Sequence, residues 1–380
     1  MTSYEPAATP ALSVVVPAFQ VESHLPDCLD SILREAGSGV EVVVVDDASP
    51  DRSGQIAAEY ARRDPRVRVV RLAINIGLGP ARNAGFEATT GAYVWFVDSD
   101  DVLPAGAVPA VLDRLATSRP DVLIVDHAYV FESGAPAHPD RPGAGGPERP
   151  LAGLTGPLRV AGCPRLLRLA QSACTKIVRR GFLAEIGLRF FPGWYEDSAF
   201  SHPLLLAAGQ IDVLDRVCYH YVQRDAGGIT RTVSARHFEV FDQYQRLFDI
   251  VTATPGYEVF RPELFRLMID HYLVIAGNRR RVPPDLRRAF FRRMSQDYRS
   301  RLPTGGYQLP AGAAGLKHRL VRRDAYLLYA LLRRVHRAMA WLFRRGNAPA
   351  ARRERTPRSA VPVPARVSGP PPGGGRTTGR

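Results

Sequence analysis

Val40-Glu41-Val42-Val43-Val44-Val45 constrains this chain more than any other stretch. Consecutive β-branched residues put apolar side chains on both faces of a strand, and only a sheet covered on both sides buries them all. Four runs of similar character lie nearby: Leu12-Ser13-Val14-Val15-Val16-Pro17, Val67-Arg68-Val69-Val70, Tyr93 to Val97, and Val122-Leu123-Ile124-Val125. Segments with helical apolar spacing separate them, such as Leu25, Cys28, Leu29, Ile32 and Leu33. This alternation predicts an α/β fold whose mostly parallel, right-handed sheet is flanked by helices.

Ligands of such sheets bind outside the carboxyl ends of the strands, where this chain places its unusual residues. Pro17-Ala18-Phe19-Gln20, Asp46-Asp47-Ala48-Ser49 and Asp98-Ser99-Asp100-Asp101 each begin where an apolar run stops. Asp98 and Asp100, two apart, have the spacing to flank Mg²⁺ or Mn²⁺, with diphosphate oxygens as the remaining ligands. The plainer reading is turn and cap chemistry before a helix near Pro104 to Leu115. Asp46 and Asp47 offer fixed acceptors for a uracil imide N–H, or cap an ordinary strand-to-helix turn. Asn75-Ile76-Gly77-Leu78-Gly79-Pro80-Ala81-Arg82 has glycines suited to close backbone approach, but Arg82 occupies the third glycine position of a dinucleotide fingerprint, which argues against a nicotinamide cofactor. Arg82 suits a diphosphate, or is a surface arginine.

Further along, Trp194-Tyr195-Glu196-Asp197 precedes an apolar helix. Asp197 is either its N-cap or a general base beside a sugar-stacking aromatic wall. Arg224 and Thr230 have the chemistry to hold a phosphate, and His220 to approach a metal or to serve structure alone.

Glu132 to Pro150 is dense in Pro and Gly and reads as a surface excursion. Helical spacing from His237 to about Ser300 predicts a helical appendage. Residues 316–345 read as one long amphipathic helix, with Leu328, Leu331, Leu332, Val335, Met339, Leu342 and Phe343 on one face and Arg322, Arg323, Arg333, Arg334, Arg337 and Arg344 on the other. Charge singles out the same end: residues 317–380 hold sixteen Lys/Arg against two acids, the whole of the net +14, while the preceding 316 residues balance 35 against 35. A basic helix with a continuous apolar face suits an anionic membrane surface, or packs on the protein body. Aromatic residues stop at Phe343, so nucleic acid is not the expected partner. Four scattered cysteines, Cys28, Cys163, Cys174 and Cys218, read as reduced core residues. No window approaches the roughly 18 apolar residues of a membrane span, and Met1 to Pro10 lacks signal-peptide features, so the expected location is the cytoplasm, peripheral on the inner membrane face. The expected boundaries are a disordered 1–10, a nucleotide-binding domain at 11–232 containing the 132–150 loop, a helical appendage at 233–312, a basic amphipathic helix at 313–346 and a disordered basic tail at 347–380.

The order and spacing of Ser13 to Gln20, Asp46-Asp47-Ala48-Ser49, Asn75-Ile76-Gly77 with Ala81-Arg82-Asn83-Ala84-Gly85, and Asp98-Ser99-Asp100-Asp101 resemble the family 2 glycosyltransferases of GT-A fold. The resemblance implies inverting sugar transfer from a nucleotide-diphosphate donor, with UDP the expected nucleotide. By that likeness Pro17, Phe19 and Asp47 hold the uracil and ribose, Asp98 the ribose or metal, and Asp100 the metal. Ala18, Asp46, Asn75, Arg82 and Ser99 complete the expected donor site, and a divalent cation, Mn²⁺ or Mg²⁺, is the expected cofactor. Glu196-Asp197 matches the family's acidic pair ending in the catalytic base, and Trp194, Arg224 and Thr230 are expected on the acceptor side. Phe19-Gln20 departs from the usual Tyr-Asn, keeping a stacking face and losing a hydroxyl. The Trp-Tyr-Glu-Asp motif, the Tyr219-His220-Tyr221 segment and the helices after it are similar to glycosyltransferase domains associated with teichoic acid or cell-surface polymers in actinobacteria, which implies a polymer or lipid-linked acceptor. The alternatives are a nucleotidyltransferase-like enzyme, although Pro17-Ala18-Phe19-Gln20 is not the glycine-rich basic loop such enzymes need, and a non-catalytic nucleotide-binding protein tethered by its basic tail.

Overall fold

A computed structural model of the chain describes residues 9–131, 150–224 and 232–346. The 132–150 excursion apart from Pro150, the 347–380 tail, Thr230 and most of the 1–10 segment lie outside the described residues. The chain divides into two units, Met1–Tyr329 and Ala330–Arg380.

All five expected strands form. β1 (Leu12–Ala18), β2 (Val40–Asp46), β3 (Val67–Arg71), β4 (Tyr93–Phe96) and β5 (Val122–Phe131) alternate with helices α1 (Leu25–Leu33), α2 (Ser53–Arg63), α3 (Leu78–Ala88) and α4 (Ala107–Ser118). After β5 come β6 (Lys176–Arg179), α5 (Arg180–Glu185), α6 (Glu196–Ala207) and β7 (Ile211–Gln223). They join one seven-stranded sheet in the order β3-β2-β1-β4-β6-β5-β7. β1 pairs in parallel with β2 and β4, and β6 runs antiparallel between β4 and β5. Every residue of β1, β2 and β4 is buried, as their unbroken apolar runs require. β6 escaped the sequence reading because Lys-Ile-Val-Arg is too short and too charged at its ends to show a period.

The parallel β1, β2 and β4 end side by side. Ala18 is level with Asp46, and Val15 with Phe96, so the segments following all three strands open at one edge of the sheet. Helix α3 packs unusually close beneath: a Cβ on Gly85 would lie 2.3 Å from Val15 Cγ1 and 2.9 Å from Val45 Cγ2. Cys28, Cys174 and Cys218 are buried and Cys163 is half-buried, all four as free thiols.

The appendage consists of α7 (Glu239–Ala253), α8 (Arg261–Gly277) and α9 (Arg287–Arg301), locked by Phe241, Tyr244, Tyr272 and Phe290, whose rings meet edge-on or tilted. The single helix expected over 316–345 is two helices, α10 (Gly312–Arg322) and α11 (Tyr326–Gly346). Asp324 breaks it: at φ +51° it adopts the left-handed region, its N–H bonds Val321 O at 3.1 Å, and Ala325 N–H bonds Leu320 O at 3.0 Å. That paired closure is a Schellman-type helix stop. The two halves then meet different surroundings. Leu320, Val321 and His318 of α10 are buried, with His318 Nε2 3.0 Å from Asp270, whereas Leu327, Leu328, Leu331, Val335 and Met339 of α11 are exposed. The boundary at 312/313 accordingly falls at the start of a helix that packs on the appendage. Among the described residues no helix is long and apolar enough to cross a membrane.

Candidate active site

The acids following β2 are fastened. Asp47 accepts the backbone N–H of Ile76 at 2.8 Å on one oxygen and of Gly77 at 2.9 Å on the other, while Asn75 Nδ2 donates to its carbonyl at 3.2 Å. Asp46 accepts from Ser49 N–H at 3.0 Å. Ser49 Oγ in turn accepts from Gln20 N–H at 2.7 Å, which ties the β1 and β2 ends together. Gln20 and Ala48 both sit at positive φ, so the two connections are bent sharply enough to meet. Pro17 and Ala18 are buried, whereas the Phe19 ring is exposed and Asn75 lies at the surface.

The acids following β4 are crowded. Asp101 is buried, accepting from Tyr219 OH and Val222 N–H, each at 2.8 Å; Tyr219 OH also receives Asp98 N–H at 3.2 Å. Ser99 is buried beside them. Asp100 is the most open, with 44% of its side chain exposed, and Arg224 reaches it at 3.2 Å and also donates to its backbone carbonyl. Burial and the neighbouring negative charge of Asp98 raise the Asp100 pKa, against the pull of Arg224. Burial, Asp100 and Asp98 push Asp101 well above the carboxylate range. Carboxyls this close resist ionising together unless a cation joins them.

One buried cation links this loop to the acidic pair. Arg82 is 1% exposed, and its NH2 donates to Asp98 Oδ1 at 2.7 Å while NH1 donates to Glu196 Oε1 at 2.8 Å and to Asp197 Oδ1 at 2.9 Å. Its guanidinium also faces the Phe190 ring at 5.2 Å. Gly79, one turn earlier on α3, makes room: a Cβ there would lie 2.6 Å from Phe191 O and 3.3 Å from Glu196 Cγ. The close approach read from these glycines is made by the chain's own 190–196 segment. Arg82 is therefore neither a surface arginine nor open to a diphosphate; three carboxylates engage it.

Glu196 opens α6 and is buried, whereas a quarter of the Asp197 side chain is exposed. Asp197 is not the N-cap: Tyr195 is, in the left-handed region at φ +67°, with no side-chain capping bond. Burial and the adjacent Asp197 push Glu196 up to about 8, Arg82 opposing. Burial also raises Asp197, against the pull of Arg82. Asp197 is the partly open member of the pair, and so the one that a bound ligand can reach. Lys176 lies fully buried nearby, its Nζ donating to Ala170 O at 2.6 Å and Ser172 O at 2.8 Å; burial lowers its pKa to about 8, partly offset by Asp197.

Residues 13–169 match the family described as Glycosyl transferase family 2. The chain carries a glycosyl transferase family 2 domain. Among curated relatives, the uncharacterized glycosyltransferase EpsJ of Bacillus subtilis is 40% identical over 114 residues, 30% of this chain and 33% of that protein. Glycosyltransferase GlyG of Streptococcus pneumoniae is 28% identical over 270 residues, covering 68% of this chain and 87% of GlyG. A 124-residue stretch is 32% identical to the minor teichoic acid biosynthesis protein GgaB of B. subtilis, covering 32% of this chain and 14% of GgaB. The match thus spans about a third of EpsJ and far less of GgaB. In fold, residues 1–349 of S. aureus TarS, crystallised with UDP-GlcNAc, superpose with a TM-score of 0.51 at 20% identity, covering 83% of this chain and 91% of that one. The shared fold is GT-A, a mostly parallel sheet with flanking helices and a helical C-terminal region.

Around the family 2 domain, these contacts bring Asp98, Ser99, Asp100, Arg82, Glu196, Asp197 and Arg224 together. Arg224, expected on the acceptor side, is paired with Asp100. His220 is held by its backbone, exchanging hydrogen bonds with Val102 at 3.0 and 3.4 Å. Trp194 is half-buried under the Arg236 guanidinium at 4.8 Å. The sequence reading missed Tyr219, Lys176 and the appendage side chains around residues 192–195. Only Tyr219 left a signal, as the aromatic end of a strand-like run.

Proposed function

We propose that the chain moves a sugar from a UDP-linked donor to a hydroxyl of a cell-surface polymer, inverting the anomeric carbon. The observation that carries this reading is the buried Arg82 bridge, which joins the acidic loop after β4 to Asp197 through a single guanidinium. Donor-side and acceptor-side carboxylates then lie within the span of one side chain, as a direct displacement requires. Asp197 takes the proton of the acceptor hydroxyl as that oxygen bonds to the anomeric carbon, and the carbon–oxygen bond to UDP breaks with its electron pair leaving on the diphosphate.

Pro17, Ala18, Phe19, Asp46, Asp47, Asn75 and Ser99 form the nucleotide side. The open Phe19 ring offers the base a stacking face. The donor set at Asp98 and Asp100 fits a hard divalent cation, since two carboxylates lie two residues apart on one loop and Asp100, paired on one side by Arg224, keeps 44% of its side chain open. Among the described residues no group of three or more Asp, Glu, His or Cys side chains stands where it could hold a metal, so donor oxygens and water would have to supply the other ligands. A cation bound there would neutralise diphosphate charge. Trp194 lies on the acceptor side, where its half-buried ring suits a sugar.

TarS in complex with UDP-GlcNAc makes that donor the first to test, and GgaB makes a teichoic acid the first acceptor. The exposed apolar ridge of α11, in the region that carries the excess positive charge, suits an anionic membrane face, which would hold the enzyme where such polymers are built. The test is UDP release from a panel of UDP-sugars with Mn²⁺ or Mg²⁺ and isolated wall teichoic acid. Asp197→Asn should lower turnover about 100- to 10,000-fold with UDP still bound; turnover at the wild-type rate would remove Asp197 from the chemistry.

A further inference from the structure

The turn that delivers Asp197 is not held by the domain that uses it. Residues 192–195 contain two left-handed positions, Gly193 at φ +107° and Tyr195 at φ +67°, and α6, which starts directly after them, has no side-chain cap of its own. Glycine takes the first freely, but a tyrosine in the left-handed region persists only when its surroundings impose it. Here the surroundings are the appendage. Glu239, the first residue of α7, accepts Trp194 N–H at 2.6 Å, and Gln243, one turn on, donates from Nε2 to Pro192 O at 2.9 Å. Tyr195 OH bonds His237 Nδ1 at 2.6 Å. Arg236 braces Glu239 at 2.8 Å while covering the Trp194 ring. A Cβ on Gly193 would stand 3.0 Å from Glu239 Oε2 and 3.2 Å from Gln243 Nε2, so the fit admits glycine alone without movement.

Glu239 and Gln243 grip the backbone on both sides of Gly193, and the second residue beyond Tyr195 is Asp197. A helix start without a side-chain cap frays by a residue or two when its supports go, and Asp197 is the second residue of α6. Losing the grip therefore frees the backbone that carries Asp197, whose carboxylate Arg82 and the Ala173 backbone N–H hold from the other side.

We propose that Glu239 and Gln243 are positioning residues for sugar transfer: the helical appendage sets the 192–195 turn and thereby aims Asp197 at the acceptor. This rests on the reading of Asp197 as the base.

The test compares full-length Glu239→Ala and Glu239→Gln with Asp197→Asn. UDP release is measured on the fastest UDP-sugar of the panel, UDP binding by calorimetry, and hydrogen exchange at the amides of 192–198. Glu239→Ala should lower kcat about 10- to 100-fold, the scale of a misplaced catalytic group, with donor KM and UDP affinity within about threefold. Trp194 N–H should exchange at least about tenfold faster while β1 to β4 exchange as before. Glu239→Gln keeps an acceptor oxygen for Trp194 N–H and should recover kcat to within about threefold of wild type. A kcat of Glu239→Ala within about threefold of wild type would overturn the proposal, as would equal losses in both Glu239 variants accompanied by weakened UDP binding. Should Glu239→Ala not fold, Tyr195→Phe removes the hydroxyl's bonds to His237 and Arg281, both on the appendage side, and should lower kcat about three- to tenfold at unchanged donor KM; unchanged kcat overturns the proposal. If Asp197→Asn turns over normally, the base reading fails by itself, and the exchange at Trp194 still decides whether the appendage holds the turn.

Discussion

Asp46 and Asp47 end β2, and Asp98 to Asp101 follow β4, yet the two acidic clusters have opposite electrostatic fates. Asp47 is satisfied by the chain itself, one backbone N–H on each oxygen, so its charge is compensated wherever the fold exists. Asp98 and Asp100 depend on two arginine side chains from elsewhere in the sequence, and Asp100 keeps a raised pKa despite Arg224. Backbone donors hold a loop in shape; side-chain donors from distant segments leave a charge that a ligand can rebalance. An acid at a strand end is thus a structural fastener or a reactive group according to what pairs it, and that depends on which loop crosses it.

The comparison is broken most forcefully at Arg82. Arg82→Met strands three carboxyls without their buried cation and should cost about 3–5 kcal/mol of stability, read by urea unfolding at neutral pH. A cost under about 1 kcal/mol would mean the acidic groups do not need that bridge. Asp47→Ala and Asp100→Asn sharpen it next. The first abandons two partly buried backbone donors and should destabilise by about 1 kcal/mol. The second relieves like charge and should leave stability within about 0.5 kcal/mol while reducing UDP release; equal destabilisation in the pair would erase the distinction. The smallest effect is in pH. The Glu196 pKa is raised from 4.5 to about 8 in the fold, so the folded chain keeps a proton that the unfolded chain releases. Its contribution is fully present below about pH 4.5 and is lost as pH rises through about 8. Glu196→Gln should therefore lose less melting temperature than wild type between about pH 5 and pH 8, and parallel curves would contradict the raised pKa.

Five strands, the helices between them and the acids at their ends were legible because burial imposes period and composition on contiguous residues. β6 and the stop at Asp324 were not. Lys176–Arg179 is a strand only because β4 and β5 lie on either side of it, and the apolar spacing of 316–345 runs across the helix break without a change of phase. Arg82 shows the same limit within the site. Its place on α3 was readable, but its burial was not, because the partners Glu196 and Asp197 lie more than a hundred residues away.

By itself the sequence determined the layered α/β sheet, the edge where its acids gather and the chemical character of Asp98, Asp100 and Asp197, since local patterns of burial and charge carry those. Only the tertiary structure decided which acids are neutralised by backbone and which by arginine, that Arg82 faces inward, and that the helical appendage grips the turn before Asp197. Those are outcomes of pairing between distant segments, and a hydrogen-bond partner remote in sequence leaves no local period to read.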